Sequence, residues 1–157
     1  MSQRLMKTEI ITPERVLYSS PDQSLFQYSR GKDATIACFN FSFPQGLELY
    51  RKLLEGKIQA SLFTINSPTP VNWKRLVENA RTTKKLIVID DSKSENIAAN
   101  ALLTDLASGL ALQKVILVKR KLASDWLNPI SDNMDIDYAD ILKIMRGKKR
   151  DYVQYEL

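Results

Sequence analysis

The chain has 157 residues, enough for one ordinary domain and too few for two. Hydrophobic residues make up 44% and charged residues 26%, so the composition supports a real core and excludes a disordered chain. One cysteine and no histidine exclude an internal disulfide, a zinc cluster and every catalytic scheme that needs imidazole.

The net charge is +5, which raises the question of nucleic acid. The stretch KIMRGKKR contains Lys143, Arg146, Lys148, Lys149 and Arg150. Removing those five from the 23 basic residues leaves 18, against 18 acidic ones. The rest of the chain is therefore neutral. The stretch follows an apolar helical pattern, where cations complement the negative end of the helix dipole. Nucleic-acid binders instead spread charge over a face and interleave aromatics. No apolar run approaches the ~18 residues of a membrane span, and the polar start lacks a signal-peptide core. The expectation is a cytoplasmic protein with no membrane contact.

Residues 1–30, with Pro13 and Pro21, read as a lead-in arm that holds at most a short first strand near Leu25 to Tyr28. From Asp33 the pattern becomes regular. Ala34 to Phe39 is a continuous apolar run, the mark of a strand covered on both faces. Pro44 suits the first turn of a helix, with Ser42 as its cap. Leu47, Tyr50, Leu53 and Leu54 are assigned to one helical face, and Gly56 to a left-handed stop. A second strand runs from Gln59 to Ile65 and ends in Asn66-Ser67-Pro68-Thr69-Pro70, which continues neither element.

Asn72 is placed as the cap of a helix with Trp73, Leu76, Val77 and Ala80 at helical spacing. Leu86 to Ile89 is the clearest strand and closes on Asp90 and Asp91. Ser94 is read as the cap of a third helix, with Ile97, Ala98, Ala101, Leu102 and Leu106 inward and Gly109 near its end. Lys114 to Val118 is another strand. Past Trp126 and Pro129, a last helix runs from about Asp135 to Met145, with Tyr138, Ile141, Leu142 and Met145 as its stripe. Residues 147–157 read as a basic, polar tail. Strands joined by single helices predict a mainly parallel sheet with helices on both faces, a three-layer α/β/α domain.

Catalytic motifs are hard to assemble. Gly31, Gly46, Gly56, Gly109 and Gly147 are scattered, so no phosphate-cradling loop of either familiar kind exists. Asp132, Asp135, Asp137 and Asp140 lack the spacing and the glycine of a calcium loop and read as a helix N-terminus. Cys38 sits inside an apolar strand with no base to activate it. One polar crevice is conceivable. Asp90 and Asp91 at a strand's carboxyl end would meet Asn40, Ser42 and Glu95 if their two strands are neighbours, where open α/β sheets hold ligands.

The run from Gly31 to Leu106 resembles the C-terminal domain of the transketolase superfamily, with the beta subunits of 2-oxo acid dehydrogenase decarboxylating components as the nearest relatives. Gly31-Lys32-Asp33-Ala34-Thr35-Ile36 is similar to the family's entry into its first long strand. Leu53-Leu54-Glu55-Gly56-Lys57-Ile58 looks like the end of the helix that follows. Thr82 to Asp91 (TTKKLIVIDD) resembles "K-T-x-R-L-V-V-V-E-E", and Asn96 to Leu103 the "E-I-A-A-x-I" helix. Lys114 to Arg120 is similar to the last strand, and Asn128-Pro129 to Ile144 to the closing segment. Glu14 to Tyr18 (ERVLY) is similar to the linker that leaves the preceding domain. Three loops depart from the pattern. Asn40 replaces the glycine that closes the first long strand, Ser92 to Glu95 replaces a glycine-rich loop, and Phe63 to Pro68 replaces "D-L-R-T-L-x-P".

The resemblance implies a mixed, mostly parallel five-stranded sheet in which only the short first strand runs antiparallel. It implies that thiamine diphosphate and magnesium belong to two other domains, and that this chain alone binds neither. The expected role is a non-catalytic assembly domain, or a separate subunit, that forms a homodimer or joins thiamine diphosphate-binding domains. The alternative is a free-standing module that binds a small ligand or anion in the Asn40, Ser42, Asp90, Asp91 and Glu95 crevice.

Overall fold

A computed structural model of the chain describes residues 15–66, 72–93, 96–107, 112–121, 134–147 and 151–157. In chain order the elements are β1 (Tyr18–Ser19), β2 (Leu25–Ser29), β3 (Ala34–Phe39), α1 (Phe43–Glu55), β4 (Ala60–Ile65) and α2 (Lys74–Thr83). They continue as β5 (Lys85–Asp90), α3 (Asn100–Ala107), β6 (Lys114–Lys119), α4 (Tyr138–Arg146) and β7 (Asp151–Glu156). The strands form one sheet in the order β1-β2-β4-β3-β5-β6-β7. β2 is antiparallel to β1 and β4, and every other pairing is parallel. The α/β architecture with one reversed strand is therefore present. Among the described residues the sheet has seven strands rather than five.

Alternation along the strands sorts their side chains onto two faces. Ile36, Cys38, Leu62, Ile87, Ile89, Ile116 and Val118 share one cluster with Leu49 and Leu53 of α1 and Ile141 and Met145 of α4. Ala37, Phe39, Phe63, Ile65, Leu86, Val88 and Leu117 share the other with Leu76 and Ala80 of α2 and Leu102 and Leu106 of α3. Every residue of β3 and β4 is buried, which is why both read as unbroken apolar runs. Each fully buried Ile, Leu or Phe contributes about 1.5–3 kcal/mol relative to exposure, so these two faces dominate the stability.

The two extra strands come from the ends of the chain. The segment read as a lead-in arm builds a hairpin, and its turn is held by side chains. Ser20 Oγ accepts from the amides of Ser24 (3.1 Å) and Leu25 (3.0 Å). Asp22 accepts from the Ser24 amide at 3.2 Å and from the Ser24 hydroxyl at 2.8 Å. Arg75 of α2 lies 4.2 Å from the Tyr18 ring centroid and donates to Gln27 Oε1 at 2.7 Å. At the other end, residues 151–156 of the segment read as a tail form β7, in full parallel register with β6. Lys114, only 2% exposed, anchors it through an ion pair with Asp151 at 2.7 Å.

Helix ends differ in detail from the sequence expectations. Gly56 is not left-handed, with φ −75°; the left-handed residue is Lys57, with φ 62°. Gln23, Asn40 and Lys84 also have positive φ, and no described glycine does. Gly46 is required for a different reason. A Cβ there would collide with Cys38 Sγ, so the glycine lets α1 lie directly on β3. Ser42 makes no side-chain cap, Leu54 is 51% exposed and Ala101 faces outward. Asn72 Oδ1 accepts from the Lys74 amide at the start of α2. Asp137 accepts from the Asp140 amide at 3.0 Å, so this part of the acidic cluster does start a helix. The expectations for Ser94, Gly109, Trp126, Pro129 and Asp132 lie outside the described residues.

Candidate functional site: the crevice at the strand carboxyl ends

β3 is flanked by β4 on one side and β5 on the other. The connection after β3 leads to one side of the sheet and the connection after β5 to the other, so the carboxyl ends of β3 and β5 form the topological switch point. Phe39 and Asp90 are register partners there. With β3 and β5 neighbours, Asn40, Ser42, Asp90 and Asp91 lie together at their carboxyl ends, while Glu95 lies outside the described residues.

The bonding decides what this crevice can do. Asp90 has no exposed surface. Its Oδ1 accepts from the Ser92 amide at 2.9 Å, from the Ser92 hydroxyl and from Asn40 Nδ2 at 3.2 Å. Its Oδ2 accepts from the Ala99 amide at 2.7 Å, just ahead of α3. Ser92 Oγ also accepts from Asn40 Nδ2 at 3.0 Å and from the Ala98 amide at 3.2 Å. One carboxylate thus ties the loop after β3 and both halves of the loop after β5 into a single unit. Charge-assisted bonds of this kind are the strong ones.

The neighbouring groups complete the wiring. Asp91 accepts from the Phe41 amide at 3.2 Å, and its carbonyl accepts from Arg120 Nε at 3.0 Å. Ser42 Oγ donates to the Ile89 carbonyl at 2.7 Å. Cys38 is fully buried, and burial pushes its thiol well above the ordinary range against the opposing Ser42 bond, with the Asp91 charge adding to the rise. A thiol held protonated in this way is no nucleophile. Asn40 adopts φ 55°, the left-handed conformation that asparagine tolerates better than most residues. The turn after β3 is thus closed without a glycine. Phe41 stands at the rim, 56% exposed.

Sequence reasoning missed Ser92 and Arg120. The Asp-x-Ser spacing from Asp90 to Ser92 is a turn signal that could have revealed the first. Nothing local marks Arg120, which comes from the far end of β6. Among the described residues, no buried side-chain polar atom lacks a partner, and no three His, Cys, Asp or Glu side chains converge to hold a metal ion. No helix among the described residues is long and apolar enough to cross a membrane.

No family model matches the chain, and no curated protein matches it. Among solved structures, the chain is similar to one described as a split gene transketolase, inactive beta4 tetramer. The TM-score is 0.67 at 19% sequence identity, over 90% of this chain. The chain spans less than half of that protein, 46% of its length. The fold is transketolase-like.

Proposed function

We propose that the chain is a non-catalytic assembly domain, or a separate subunit, of a thiamine diphosphate-dependent enzyme of the transketolase or 2-oxo acid dehydrogenase type. The observation that carries this reading is the likeness over 90% of the chain to 46% of a split transketolase chain. A matching part that small fits a domain that completes a larger enzyme. Of the departures from the 2-oxo acid dehydrogenase pattern, Asn40 follows β3, Ser92 follows β5, and Phe63 to Ile65 belong to β4.

Among the described residues, those of the crevice do not suit thiamine diphosphate. A diphosphate with its magnesium needs backbone amides converging from a glycine-rich turn, together with free carboxylate oxygens. Both oxygens of Asp90 already accept bonds from the chain's own loops, and the five glycines are scattered. In this reading the cofactor is held by other domains, and the crevice stiffens a surface that packs against them. The same bonds weigh against a small-ligand module.

Two measurements test the proposal. Calorimetric titration of the purified chain with thiamine diphosphate and magnesium is expected to give no binding heat. Light scattering over a concentration range is expected to show an associated species. Tight cofactor binding by the chain alone would overturn the non-catalytic role, and a strict monomer would overturn self-assembly.

A further inference from the structure

The sheet has two unequal edges. β1 is two residues long, whereas β7 is six. In the β6–β7 ladder the amides of Asp151 and Leu157 donate inward, to the carbonyls of Gln113 (3.2 Å) and Lys119 (3.0 Å). Parallel pairing alternates the direction of backbone groups along a strand. The N–H and C=O groups of Tyr152, Gln154 and Glu156 therefore point away from the sheet. No described residue bonds them. Their side chains are exposed too, Tyr152 to 62%.

Natural edge strands are usually protected by short length, by charge or by cover. β7 lacks the first, and its charges are neutralised within the chain. Asp151 pairs with Lys114 at 2.7 Å and Glu156 with Lys119 at 3.0 Å. An edge of this length, unpaired among the described residues, is a template for another strand.

We infer that the outer edge of β7 is a self-association surface, where a second copy of this chain adds its own β7 antiparallel across a twofold axis. The inference rests on the assembly reading and names the surface. The partner strand must be long enough to match. β1 offers only two residues, so head-to-tail pairing of β7 with β1 is poor, and β7 on β7 is the long match. Antiparallel pairing about Val153 sets Tyr152 opposite Gln154, two residues whose backbone groups both point outward. Asp151 and Glu156 keep their ion pairs with Lys114 and Lys119 of their own copy, so the pairing sets no unpaired acid of one copy against the other. An isologous pairing of this kind closes at two and leaves no further edge of that length.

The test combines a variant with a measurement on the unaltered chain. Gln154→Pro removes an outward N–H and leaves the inward-facing amides of β7 in place. Its folding is checked by circular dichroism, and Gln154→Ala serves as the control. Light scattering should show a dimer for the wild type and for Gln154→Ala, and a monomer for folded Gln154→Pro. In the wild type, the amides of Tyr152, Gln154 and Glu156 should exchange with solvent about tenfold more slowly at concentrations where the dimer dominates. Those of Val153 and Tyr155 should be protected at all concentrations. A folded Gln154→Pro chain that associates like the wild type would overturn the β7 surface and leave the assembly reading standing. Exchange at Tyr152, Gln154 and Glu156 that ignores concentration in an associating wild type would do the same. A wild-type chain that is monomeric throughout would overturn both the surface and self-assembly.

Discussion

The crevice at the carboxyl ends of β3 and β5 and the outer edge of β7 are both rich in polar groups, but the two regions use them oppositely. In the crevice each oxygen of Asp90 accepts from a neighbouring loop. Along β7 the outward backbone groups of Tyr152, Gln154 and Glu156 have no partner among the described residues. A cluster of acids at a switch point looks like a ligand site until its bonds are traced. A polar strand at the end of a sequence looks like a solvated tail until its edge is. Capacity to bind lies where hydrogen-bonding groups are left unpaired.

The sharpest way to break this contrast is Asp90→Ala. It would strand the buried amide of Ala99 and release both halves of the loop after β5. The expected loss is ~3–5 kcal/mol, read from the urea midpoint, whereas a ligand-binding aspartate would cost little stability. Asp151→Ala comes next. It removes the acid beside a lysine that is only 2% exposed and should cost ~2–3 kcal/mol. In the β7 reading it should also weaken dimerisation, because the edge loses its anchor.

Gly46→Ala places a methyl group on Cys38 Sγ and should cost ~1–3 kcal/mol. Adding Cys38→Ala should recover most of that loss. A double-mutant cycle with no coupling would show that α1 does not sit on β3 in this way.

The smallest expected effect is electrostatic. Hydrogen bonds from Ser20, and then from Ser24, hold Asp22 below its ordinary range. Bonds from Lys119 and then Gln154 do the same for Glu156. Both folded values lie below the unfolded ones. Their contribution is therefore present above the ordinary carboxylate range, near about pH 4, and is lost as pH falls through the folded values. Carboxyl carbon titration by NMR should show both midpoints displaced to lower pH. Salt should weaken the Glu156 displacement more than that of Asp22, whose partners are neutral.

Much of this molecule was legible in its sequence. β3 occupies the residues expected of it, and β5 and β6 extend the expected strands by only one or two residues. The buried runs fix those strands, whereas the adjacency of β3 and β5 that gathers the crevice was left open, because handed crossovers set the faces of the helices and not the order of the strands. The bonding of Asp90 was not legible, because it depends on the Ala99 amide, nine residues on, folding back to donate to it. β7 was missed although Asp151-Tyr152-Val153-Gln154-Tyr155-Glu156 alternates with the period of a strand. Its partner β6 lies 37 positions earlier in register, and the basic run at 148–150 drew the reading toward solvent. The left-handed turns at Lys57 and Lys84 were hidden for a simpler reason. Lysine gives no sign that tertiary contacts will hold it at positive φ.

Lys114 also bears on the order in which the sheet is completed. β7 is made after β6 during synthesis, and until it emerges β6 is itself an outer strand with Val115, Ile116, Leu117 and Val118 in a row. Such a strand invites misassembly in a nascent chain. A lysine at its head, charged and without Asp151, discourages another strand from docking there in the meantime. When Asp151 arrives, the same ammonium group receives it, and a gatekeeper of the unpaired strand becomes the latch of the paired one.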